Sequence, residues 1–176
     1  MRDSGASFLM TKHLTKIDAM CTANQTFNMM LSIDQYRMVQ RWISHLAVLY
    51  RYNDDTYLVL WEYSDPNTKV RFQRTCLVFR IVDEDENIII VTAKSMGDCV
   101  EENERGQKPP RMLFSCSFTY ASQPSSSTDG FYVHLAGEID TGSNLGDRRV
   151  IADALQYALR WENACVAPLF QLRRNE

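Results

Sequence analysis

Asp147–Asn163, DRRVIADALQYALRWEN, is the stretch on which the reading of this chain turns. At about 100° per residue it has helical periodicity. Val150, Ala154, Tyr157 and Trp161 fall on one stripe, with Ile151, Leu155 and Ala158 on a second stripe beside it. Arg149, Asp153, Gln156 and Arg160 hold the polar remainder. A helix packed only on its own domain needs an apolar arc of roughly 100°, and this one spans roughly twice that. The expectation is a closing helix over 147–163 with one stripe on the chain's own core. The other stripe, Val150, Ala154, Tyr157 and Trp161, is assigned to a partner chain.

The residues before that helix read as β-structure. Val48–Tyr52 and Tyr57–Tyr63 are rich in aromatic and branched residues and flank Asn53-Asp54-Asp55, a hairpin turn. Lys69–Val82 and Ile88–Ala93 form a second hairpin around a charged turn, and nearly continuous apolar runs imply that both of its faces are covered. Ser64-Asp65-Pro66-Asn67 is a turn, 94–110 is a long polar connection, and Gln123–Asp129 is a serine-rich loop. Met112–Tyr120 and Phe131–Ile139 complete the strands. Upstream, Ser32-Ile33-Asp34-Gln35 has the spacing of a capping box, so a helix is expected from Ser32 to about Leu46. Thr26–Leu31 reads as a short strand, and Phe8–Met20 is ambiguous. The organisation expected is an extension over 1–25, one domain over 26–165 and a tail over 166–176.

Composition narrows the function classes. The chain has 176 residues, 45% hydrophobic and 23% charged, which suits one globular domain. A net charge of −3 supplies no global basic field for nucleic acid. Five scattered cysteines without a CxxC pattern point to a reducing, intracellular setting. No signal peptide or membrane span is read in the sequence.

Catalytic and metal motifs do not hold together. Asp140-Thr141-Gly142-Ser143 matches the aspartic-protease signature, but that chemistry needs two facing aspartates and the sequence has one such motif. A strand-to-helix turn is the preferred reading, and a half-site protease built from two copies is the alternative. His13, His45 and His134 lack ligand spacing, and Asp83-Glu84-Asp85-Glu86 lacks the glycine of a calcium loop. No catalytic residue, metal or cofactor is assigned, and a non-enzymatic protein is expected. Cations and rings do coincide at Trp61, Tyr63, Lys69, Arg71, Arg74 and Arg80, a mixture suited to single-stranded nucleic acid. Strand alternation splits that set between two faces, so core rings with a solvated arginine rim are preferred.

The element order is that of a mainly β, α+β domain: an OB-fold-like small barrel with an N-terminal helix and a C-terminal helix. The segment RMLFSCSFTY…GFYVHLAGEID, followed by VIADALQYALRW, resembles the end of the middle and small subunits of replication protein A and the small subunits of the telomeric CST complex. Size and composition also resemble a subunit of the telomere-capping terminin complex. These resemblances imply a nuclear, non-catalytic subunit acting at single-stranded DNA or chromosome ends. Its C-terminal helix would bind another OB-fold or helical subunit. The alternative is a pleckstrin-homology-like interaction module with no nucleic-acid role, which needs seven strands.

Overall fold

The computed structural model describes residues 6–15, 18–64, 71–83, 88–96, 111–120, 130–140 and 144–166. The turn at 65–67, most of the 94–110 connection, the 123–129 loop, Glu84–Glu86, Thr141–Ser143, Lys69 and Cys99 lie outside them. The first strand, β1 (Ala6–Thr15), leads into helices α1 (Ala19–Met29) and α2 (Ile33–Val39). A run of six strands follows: β2 (Ile43–Asn53), β3 (Thr56–Ser64), β4 (Arg71–Val82), β5 (Ile88–Ser95), β6 (Arg111–Tyr120) and β7 (Gly130–Asp140). Helix α3 (Asn144–Cys165) comes last. All seven strands form one antiparallel sheet in the order β1-β7-β6-β5-β4-β3-β2.

The hairpins follow from their turns. Asn53 accepts a hydrogen bond through Oδ1 from the Asp55 backbone N–H at 2.9 Å, an Asx turn that reverses the chain into β3. From β2 to β7 every strand pairs with its sequence neighbour. Paired residues share a sheet face, so alternation defines one inner row on each strand. Val59, Trp61 and Tyr63 of β3 lie on it beside Arg74, Cys76 and Val78 of β4. The row continues through Val91 and Ala93, Cys116 and Phe118, then Phe131, Val133 and Leu135. All of these are buried, and they form the core against the three helices. Gly137 belongs to the same face. A Cβ there would collide with the ring of Phe8, its partner on the neighbouring strand β1, so the missing side chain leaves room for that ring.

The helices close the inner face. Helix α1 packs on β4, β5 and β6, α2 on β2, and α3 on β1, β7 and both other helices. Trp161 of α3 is the central wedge. It is 2% exposed and lies 6.2 Å from the Phe118 ring, and its Nε1 donates to Thr26 Oγ1 of α1 at 2.9 Å. Thr26 Oγ1 in turn donates to the Thr22 carbonyl, and Thr22 Oγ1 to that of Asp18. At the helix end Cys165 Sγ meets Met29 Sδ at 3.9 Å. Lys12 of β1 pairs with Glu162.

Several sequence expectations are corrected here. The fold is mainly β with helices, but β1 and β2 are two edges of an open sheet, not the sealed wall of an OB barrel. The segment read as an N-terminal extension supplies β1 and the start of α1. Thr26–Leu31 is helical, not a strand, through residue 29. The helix expected from Ser32 ends at Val39, because Gln40 turns extended (φ −118°, ψ 97°) and Ile43 and Leu46 pair with β3. Ser32 is the N-cap, yet its side chain makes no capping hydrogen bond. Seven strands match the number expected of a pleckstrin-like module, but they form a single sheet with two helices inserted after the first strand. The closing helix is longer than expected, and Leu155 and Leu159 lie on its exposed side.

The Trp161–Thr26 contact predicts a stability effect. Thr26→Val keeps the shape of the side chain but leaves the buried indole N–H without an acceptor. The cost expected is about 1–3 kcal/mol in urea unfolding. An unchanged midpoint would show that the bond contributes nothing net.

Candidate functional site

Alternation along β3 aims Trp61 and Tyr63 at the interior, and the β3–β4 register sets Arg74 directly opposite Trp61. These three side chains are almost fully buried, at 1%, 5% and 7% exposure. Helix α2 adds Tyr36, whose ring stacks on Trp61 at 4.9 Å with an interplanar angle of 23°. Helix α3 adds Tyr157, edge-on to Phe114 of β6 at 5.1 Å. Four elements thus bring an arginine, three tyrosines and a tryptophan into an otherwise apolar interior.

The polar atoms are wired unevenly. The Tyr36 hydroxyl donates to Tyr63, and the Arg74 guanidinium also hydrogen-bonds the Tyr63 hydroxyl while lying 5.6 Å from its ring centroid. Among the described residues two buried side-chain atoms have no hydrogen-bond partner: Trp61 Nε1 and the Tyr157 hydroxyl oxygen. An unmet buried polar group costs about 1–3 kcal/mol, so such groups are uncommon in a core that serves packing alone. Trp161, whose indole N–H is satisfied, provides the contrast within this chain.

Burial holds the tyrosine hydroxyls of the cluster neutral. It pushes the Tyr36 and Tyr157 hydroxyls well above their ordinary range; Tyr63 and Tyr157 push Tyr36 further, and Cys116 and Cys165, then Tyr63, do the same to Tyr157. Tyr63 is pushed up to about 12 by burial, with Arg74 pulling the other way. The buried thiols respond alike: Cys76 rises to about 12 and Cys165 to about 11, and Cys116 also rises. A thiol held neutral is a poor nucleophile, so nothing in this cluster is primed for attack. Among the described residues no group of histidine, cysteine and acidic side chains is placed to hold a metal ion.

The residues singled out from sequence fall in different places. Trp61, Tyr63 and Arg74 come together, but inside, where no base can stack on them. Arg80 binds Asp55 through Nε at 2.9 Å, reaches Asn24 and lies 5.3 Å from the Phe27 ring, tying α1 to the β2–β3 hairpin. The side chain of Arg71, like that of Val150, lies outside the described residues, as does Lys69. On α3 Ala154 and Tyr157 are half-buried and Trp161 is interior, so the stripe assigned to a partner faces largely inward. His13 and His134 are brought near each other by the β1–β7 pairing, around Tyr132, while His45 is exposed on β2. The members that sequence reasoning missed are Tyr36 and the inward role of Tyr157. Strand alternation alone signalled the grouping of Val59, Trp61 and Tyr63.

No protein-family model matches the sequence, and no curated protein matches it. Solved structures do. The chain is similar to the major latex-like protein 151 of ginseng (Panax ginseng) at a TM-score of 0.51 and 12% identity, over 93% of this chain and 99% of that one. It is similar to human STARD10 at 0.53 and 10% identity, over 94% and 71% of the two chains. It is also similar to the lipid transfer and protein localization domain of human StarD13, at 0.55 and 10% identity, over 90% and 76%. The shared architecture is a helix-grip fold: an antiparallel sheet gripping a long C-terminal helix. This likeness replaces the resemblance to replication protein A, CST and terminin subunits. With it go the telomeric and single-stranded-DNA reading and the pleckstrin-like alternative.

The raised thiols and phenols give a pH dependence with a definite sign. In the unfolded chain Cys76 ionises near 9.0, whereas in the folded chain it stays protonated to about 12. Its stabilising contribution is therefore complete below pH 9 and lost as pH rises toward the folded value. Urea midpoints are expected to be flat near neutrality and to fall above pH 9, with a shallower fall in Cys76→Ala. An identical alkaline slope in that variant would remove Cys76 from the account.

Proposed function

We propose that this chain is a non-catalytic binding domain that holds a small amphipathic molecule between the inner face of its sheet and α3. The observation that carries the reading is the pair of buried, unpartnered polar atoms among the described residues: Trp61 Nε1 on the inner face of the sheet and the Tyr157 hydroxyl on α3. An apolar interior that also offers a few convergent polar groups has the makeup of a small-molecule site. The helix-grip likeness supports the reading, since one of the similar structures is a lipid transfer and protein localization domain. Neutral tyrosines and thiols suit retention of a ligand more than its chemical conversion.

Half-buried apolar side chains extend the inner surface beyond the sealed core: Met10 of β1, Leu46 of β2, Phe114 of β6, and Tyr157 and Ala158 of α3. A hydrocarbon chain lying along them would gain roughly 25 cal/mol for each Å² of apolar surface removed from water. The polar end of the same molecule would meet the β3–β4 residues.

Native mass spectrometry of the purified chain tests this reading. The expected result is a small-molecule increment that disappears on organic extraction and returns when the stripped protein is mixed with vesicles of phosphatidylcholine containing oleate. A bare mass before and after vesicle exposure would overturn the proposal.

A further inference from the structure

The sheet has two edges, and the chain guards one of them. Strand β1 carries Lys12 in its inward row, paired with Glu162 of α3. An inward-pointing charge of this kind keeps an edge from adding a further strand. Strand β2 has no such guard. Among the described residues it pairs only with β3, and from Trp42 to Tyr50 its one titratable side chain is His45. Val48, Leu49, Tyr50 and Tyr52 stand between 46% and 59% exposed along it. The Tyr50 and Tyr52 rings pack edge-on at 4.7 Å. Arg51, between them, is turned back onto its own hairpin, paired with Asp54 and lying 5.8 Å from the centroid of the Tyr57 ring.

We propose that β2 is a dimerisation edge, on which a second copy of this chain lays its own β2 antiparallel and joins the two sheets. Charge selects this occupant. The start of the strand is basic: Arg37 and Arg41 are exposed there, and Arg37 Nη2 donates to the Ser44 carbonyl at 3.0 Å. Its end is acidic, with the Asp54 side chain 82% exposed and Asp55 beside it. A two-fold axis reverses one copy against the other, so the acidic end of each meets the basic end of its partner. An anionic membrane would be repelled by the Asp54 end of the same surface. The pairing of β2 with β3 slips between Ile43 and His45, between Val48 and Tyr50, and between Arg51 and Asn53, which leaves His45–Val48 as a regular stretch. An axis at Ala47, within that stretch, sets Leu46 opposite the partner's Val48 and Arg41 opposite the partner's Asn53, next to Asp54. No charged side chain then faces its like, which would be destabilising. The slips confine the new ladder to a short length, and the guarded β1 edge stops growth at two copies.

Sedimentation equilibrium of the full chain from ~1 to ~100 µM tests the proposal, a range suited to a small interface. The expected result is a reversible monomer–dimer equilibrium that weakens as salt is added. Leu49→Lys, at an exposed position that the fold does not need, should raise the dissociation constant about ten-fold or more by setting a cation into the edge of each copy. Asp54→Arg and Arg41→Asp should each weaken the dimer, and the two together should restore it, because each new arginine meets a new aspartate across the axis. A chain that stays monomeric over the whole range, or a dimer indifferent to Leu49→Lys, would overturn the proposal. So would charge reversals that fail to rescue one another. Sedimentation of a monomeric chain with phosphatidylserine vesicles, lost in Leu49→Lys, would give the surface to a membrane and overturn it as well.

Discussion

The inner face of a seven-stranded open sheet has to be covered, and in this chain the cover depends on where Trp161 goes. Its ring enters between α1 and β6, and its indole nitrogen finds the one hydroxyl in α1 that a threonine chain has already oriented. Once that wedge is seated, the register of α3 follows. Tyr157, one turn earlier, is set over Phe114, and Cys165, one turn later, over Met29. Helix α2 is then held between α3 and the edge strand, with Arg160 reaching the Val39 carbonyl. The polar cluster around Tyr36, Tyr63 and Arg74 is thus assembled by packing that is anchored elsewhere. Such separation lets one region stay fully satisfied while another keeps unmet donors.

The parts of the fold that were legible in the sequence are those whose causes are local. Asn53 to Asp55 turns the chain through its own side-chain hydrogen bond, and the β4–β5 hairpin is written in its apolar runs. The periodicity of α3 is equally local. The parts that were not legible depend on distant partners. Helix α1, AMCTANQTFNM, contains two β-branched threonines that disfavour a helix on propensity. They are tolerated because their hydroxyls bond the preceding turn and one of them receives Trp161. Strand β1 carries Lys12 in its inward row, which spoils the apolar alternation until Glu162 answers it from α3. The capping-box spacing at Ser32 was present without the contact it implies, so the helix behind it was overdrawn.

The same distinction governs the site. Trp61, Tyr63 and Arg74 drew notice as a mixture of rings and cations, which on an exposed strand would suit nucleic acid. Their burial reverses the meaning of that mixture. In solvent, an arginine beside aromatic rings is a surface for large polyanions. In an apolar interior it is a single charge among neutral hydroxyls. No local pattern distinguishes the two cases, since the difference is made by helices contributed from both ends of the described chain.

The pairing of β1 with β7 also bears on how the chain reaches its folded state. Thr11 and His134 are neighbours across that ladder, with a hydrogen bond between residues 123 positions apart. Closing so long a loop carries an entropic cost before any contact compensates for it. In this domain β1 is the first of the described strands to be synthesised, and its partner β7 is the last of them. The meander from β2 to β6 can form as it leaves the ribosome, but its inner face stays uncovered until β7 and α3 arrive. Folding of this domain is therefore completed after translation of its last elements. In the interval, its greatest hazard is an apolar sheet face without a lid.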